Sequence, residues 1–103
     1  MELKNLIISL EKRPMMYINN TDIFMLSTFI NGFLLGKSDL SKIEKAFVSD
    51  FHSFVQEFYE VSYNLPWWNM IYCFEGNHHK AFERFFDLYK RWYENYKAKD
   101  ETN

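Results

Sequence analysis

The residues best equipped for chemistry in this 103-residue chain are three histidines, a single cysteine and the carboxylates close to them. His78 and His79 are adjacent, so on a helix their side chains diverge by about 100° and do not converge on one ion. Glu75-x-x-His78 has the spacing of half a dinuclear carboxylate centre. That chemistry needs a second copy of the motif and two more glutamates on facing helices; neither is present, and Gly76-Asn77 lies inside the only copy. Cys73 beside a histidine would pair a nucleophile with a base. It sits instead in the apolar run MIYCF, where a cysteine serves as a small hydrophobe. His52, among core-facing phenylalanines, reads as a surface or boundary residue. With no glycine-rich phosphate loop, G-x-S-x-G or CxxC in the chain, these residues predict neither an enzyme nor a metal or cofactor site.

The acids carry more. From Ala46 to His79 there is no Lys or Arg, while Asp50, Glu57, Glu60 and Glu75 fall inside that stretch. On a helix through residues 47–60, Phe47, Phe51, Phe54 and Phe58 share one side. Asp50, Ser53, Glu57 and Glu60 form a neighbouring outward stripe at i, i+3, i+7, i+10. Acids without a local base repel one another, so the stripe serves either plain solubility or a basic partner. Tyr63, Trp67 and Trp68 come next along the chain, and Tyr and Trp are the commonest interface anchors. The candidate partner-binding set is therefore Asp50, Glu57, Glu60, Tyr63, Trp68 and Glu75. The formal net charge is −2, with no cluster of Lys and Arg, so direct nucleic-acid binding is not expected.

These residues must be positioned by helices. Eleven Phe, seven Tyr and three Trp supply large buried areas, and three Gly with two Pro are too few for a turn-rich β protein. The reading is all-α: one compact domain over residues 1–103, about four to six helices, an aromatic-rich core and a polar tail frayed from about 98. Leu3, Leu6, Ile7 and Leu10 mark a first helix that ends near Arg13, ahead of Pro14. Asn20, Thr21 or Asp22 caps a second, uncharged to Gly36 and apolar nearly all round, hence expected at the centre. Gly36 is its natural C′ residue. Ser41 and Glu44 have capping-box spacing for a third, with a break near Ser49 allowed for. Residues 67–74 read as a short helix or an extended piece. Asn77 caps a last helix carrying Phe82, Phe85, Phe86, Tyr89, Trp92, Tyr93 and Tyr96. Its outer face offers Lys80–Glu83, Arg84–Asp87, Asp87–Arg91 and Lys90–Glu94 pairs.

A lone cysteine suits a reducing compartment. The start lacks the apolar run of a secretory signal, and the longest uncharged stretch is shorter than the ~20 residues that cross a bilayer. The expectation is a cytoplasmic protein without membrane contact.

Five segments together resemble a known family: RPMMYI after the first helix, FINGF at Phe29–Phe33, DFHSFV at Asp50–Val55, WWNMI at Trp67–Ile71 and AFERFFDLY at Ala81–Tyr89. They are similar to small α-helical immunity proteins of bacterial contact-dependent growth inhibition and related polymorphic-toxin systems, some paired with ribonuclease toxins. The resemblance runs from about Leu10 to Trp92. It implies 1:1 binding to the C-terminal nuclease domain of a cognate toxin, with no catalytic residue on this chain. It also implies that Pro14, Met16 and Tyr17 pack on the core. A nuclease site holds a polyanion and is lined by cations, so an acidic surface is a natural plug for it. The alternative is a small cytoplasmic interaction or adaptor protein with no toxin partner.

Overall fold

Leu3, Leu6, Ile7 and Leu10 are all buried along α1 (Leu3–Lys12), as their spacing predicts. The computed structural model describes residues 1–102. Within them the chain forms α1, a 3₁₀ turn at Pro14–Met16, α2 (Ile23–Leu35), α3 (Lys42–Tyr59), α4 (Trp67–Glu75) and α5 (His78–Thr102), with no strand. The extents are 38 × 32 × 21 Å. α5 is the common neighbour of α2, α3 and α4, and α4 packs in turn on α2 and α3. A single buried cluster runs through every helix, which makes this one domain.

The helix starts obey local chemistry. The Asp22 carboxylate accepts from the Phe24 N–H at 2.7 Å and the Met25 N–H at 3.2 Å. Ser41 and Glu44 form the full capping box of α3, and Asn77 Oδ1 accepts from the Lys80 N–H at 2.9 Å. Residues 67–75 are helical, closed by Gly76 at φ 92°, a left-handed conformation open to glycine. α3 is continuous through Ser49, whose hydroxyl donates back to the Ala46 carbonyl at 3.2 Å.

Four expectations are corrected. Met15 and Met16 are 61% and 68% exposed, because the short 3₁₀ turn points both methionines outward. The core takes only the next two residues: Tyr17, edge-on to Phe29 at 5.8 Å, and the buried Ile18. α2 is not enclosed, because Leu35 is 87% exposed and Phe24 and Met25 lie partly open; α4 and α5 cover one side of it only. Gly36 ends α2 in the right-handed region at φ −77°, not as a left-handed C′ residue. Finally, α5 continues to Thr102, and Asp100, in the stretch expected to fray, meets Lys42 of α3 at 2.9 Å. Asn103 lies outside the described residues.

Candidate functional site

The outward stripe of α3 exists as the spacing predicts: Asp50, Ser53, Glu57 and Glu60 are all exposed. Phe47, Phe51 and Val55 face the core, while Phe54 and Phe58 sit at its margin. Glu60 is the helix C-cap, at φ 57° and ψ 46°. It is the only non-glycine with positive φ among the described residues, and the left-handed region costs such a residue about 1–2 kcal/mol. The turn is closed by the Val61 N–H bonding the Gln56 carbonyl at 3.0 Å, a Schellman-type ending.

The six candidate residues do not form one surface. Glu75 is turned inward, where its Oε2 accepts from the Tyr59 hydroxyl at 2.8 Å and from Arg84 Nε at 3.1 Å. Burial, then the Glu75 carboxylate, pushes the Tyr59 phenol well above its ordinary range. The charge of Glu75 is thus answered inside the molecule. Tyr63 is 53% exposed. Its ring lies parallel to Phe74, which stacks on Tyr59 at 4.6 Å. Gln56 Nε2 donates to the Tyr63 carbonyl at 2.8 Å and fixes the loop to α3. Trp68 is half-buried against Trp67 and lines a depression with Val48 and Leu65. At about 100° per residue, Val48 falls on the flank of α3 opposite Asp50 and Glu57. Trp68 therefore belongs to another face.

What the structure does bring together is Asp50 and Glu57 with residues of α5. An open groove runs between the two helices as two contiguous depressions of about 610 and 280 Å³ that share Phe54, Glu57 and Asn95. Phe54, Trp92 and Tyr96 contribute aromatic surface to it, and Glu94 stands on its rim. Its bases are already engaged. Lys90 pairs with Glu11 of α1 at 2.9 Å, Arg91 pairs with Asp87 at 3.2 Å and lies over the Phe58 ring, and Lys99 is not free. Among the described residues the side chains of Glu57 and Glu94 have neither a hydrogen bond nor an ion pair, and that of Asp50 has only the Ser49 hydroxyl. Sequence reasoning missed Glu94 because it assigned that acid to Lys90 at i+4. The signal against this was the choice of acids open to Lys90, which spacing alone does not rank.

The histidines go separate ways. His52 Nε2 lies 2.8 Å from the Leu65 carbonyl, and His79 lies near Thr21 and Glu83. His78 packs on Phe24 and Tyr72, with Nδ1 3.1 Å from the Asp22 carboxylate. Cys73 is exposed on α4, not packed inside as a small hydrophobe. Among the described residues no three His, Cys, Asp or Glu side chains are grouped to hold a metal ion. No described helix is long and apolar enough to cross a membrane. Comparison with protein-family models, curated proteins and solved structures finds no match.

Proposed function

We propose that this chain is a cytoplasmic immunity protein that binds the C-terminal nuclease domain of a cognate toxin, a ribonuclease, 1:1 and covers its basic active site. The observation that carries the reading is the exposed row Asp50, Glu57 and Glu60 on α3, none of them paired with a base among the described residues. The row ends beside the exposed Tyr63–Phe74 stack. Such a row complements a basic surface on a partner. Glu75, already bonded to Tyr59 and Arg84, is not part of this surface, and Trp68 serves at most a separate contact. The alternative, an adaptor without a toxin partner, is favoured by the uncharged outer face of α2 with Phe24, Met25 and Leu35 exposed.

The test is co-expression with the toxin domain encoded beside the gene, with binding kinetics on the purified pair. Association should slow as salt rises, because exposed charges are screened beyond ~8 Å at physiological ionic strength. Glu57→Lys with Glu60→Lys should leave the fold intact and weaken binding by several kcal/mol, since like charges would then oppose across the interface. Glu83→Lys, near the start of α5, is the control for a charge reversal away from the row and should protect fully. Full protection by the Glu57/Glu60 variant would refute the acidic face as the binding surface. Absence of any complex with the neighbouring toxin domain would favour the adaptor.

A further inference from the structure

We propose that the groove between α3 and α5 is an arginine socket: it receives one arginine side chain of the protein partner, its guanidinium held between Glu57 and Glu94 and its stem laid on Phe54. The inference rests on the reading of a basic protein partner and goes beyond it by naming the side chain and its seat. The groove is amphipathic in the sense such a side chain requires. Its floor is aromatic, from Phe54, Phe58 and Trp92, and two helices contribute one free carboxylate each to its rim. The charge count decides the sign of the occupant. Lys90 and Arg91 are held by Glu11 and Asp87, and Lys99 is engaged as well, so the charges left unmatched are negative. The chemistry favours guanidinium over ammonium. Arg84 and Arg91 already lie over the Phe58 ring at 5.5 and 5.4 Å, so the aromatic surface left for an incoming guanidinium stem is that of Phe54, which lines both depressions. A planar fork addresses two carboxylates at once, which a compact ammonium does less well.

The probe is an acetylated, amidated triarginine peptide titrated into the isotope-labelled full chain at low salt, followed by nuclear magnetic resonance. Shift changes should centre on the Trp92 indole N–H and the Asn95 side-chain amide. Glu57→Gln combined with Glu94→Gln should weaken binding about tenfold, the scale of two partly exposed charge contacts over an aromatic ring. A tricitrulline peptide, with the same shape and no charge, should not bind, and trilysine should bind less tightly than triarginine. Shifts centred on Glu60 and Tyr63, equal binding of trilysine, or no saturable binding would each overturn the socket. Two further outcomes separate this inference from the function it rests on. If Glu94→Lys protects cells as well as the parent and triarginine does not seat, the socket falls and neutralisation by the α3 acids stands. If triarginine seats in the groove but the parent chain protects against no neighbouring toxin, the immunity reading falls and the socket stands.

Discussion

Glu44 is a fully buried carboxylate that closes the start of α3 and does more besides. It accepts from the backbone N–H of Ser41 and of Leu3, each at 2.9 Å, and from Lys37 Nζ at 2.8 Å. One carboxylate thus ties the first turn of α1 to the first turn of α3 and to the α2–α3 connection. Burial alone would raise its pKa. The Lys37 hydrogen bond, the Ser41 and Leu3 N–H groups and the Lys37 charge outweigh burial and hold it down to about 2, against an ordinary value of 4.5. A carboxyl depressed on folding contributes stability that is complete above its unfolded value and lost as pH falls through its folded value. Stability should therefore decline between about pH 4.5 and 2, with this group contributing on the order of 3 kcal/mol at most. Urea unfolding of the parent and of Glu44→Gln as a function of pH is the check. The variant should be less stable at pH 7 and show a flatter dependence below pH 4.5; an equal slope in both would assign the acid sensitivity to other carboxylates.

At the scale of elements, α5 ties α2, α3 and α4 together, and its acids are not equivalent. Asp87 receives Arg84 at 2.8 Å and Arg91 at 3.2 Å, whereas Glu83 is 68% exposed and, among the described residues, meets only His79, at 3.5 Å, as an ion-pair partner. Glu83→Lys should melt like the parent. Asp87→Lys should melt lower, because it sets three cations together on one face; thermal melts at low and high salt would show the gap narrowing as screening rises. Equal melting of the two variants would mean that the Arg84–Asp87–Arg91 cluster adds nothing. The same helix shows what a linear reading can and cannot reach. Ser41–Glu44 and Asn77 were legible as caps, and Asp22 as one of three adjacent candidates, because a helix start is a hydrogen-bonding problem solved within three residues. The α3 stripe was legible because an α-helix repeats every ~3.6 residues. The groove was not. The segment 46–79 lacks bases along the chain, yet α5 lays Lys90, Arg91 and Asn95 beside Glu57. Lys90 finds Glu11, 79 residues away. Glu75 looked like free charge because nothing local announces that Tyr59 and Arg84 converge on it. Pairings of this kind are set by packing, and helical period leaves them open.

For the molecule as a whole, the aromatic cluster carries the stability. Phe51 is fully buried and meets Phe47, Phe54, Trp67, Phe85 and Trp92 at 4.8–6.3 Å between ring centres. Phe51→Ala should cost about 3–5 kcal/mol, a large share of the ~5–15 kcal/mol a small domain holds. Phe29, placed in the core by its spacing, is only half-buried against Tyr17, and Phe29→Ala should cost clearly less. Chemical denaturation of both variants ranks them, and equal losses would put Phe29 in the core after all. The same ring packing has an optical consequence. Rings this close couple their electronic transitions, and the resulting bands overlap the far-ultraviolet signal of the peptide groups. A helix content read from circular dichroism alone would therefore be distorted for this protein, although every regular element described is helical. The near-ultraviolet spectrum, by contrast, should be intense while Trp67 and Trp92 are held among Phe47, Phe51 and Phe85, and it should collapse when that packing is lost.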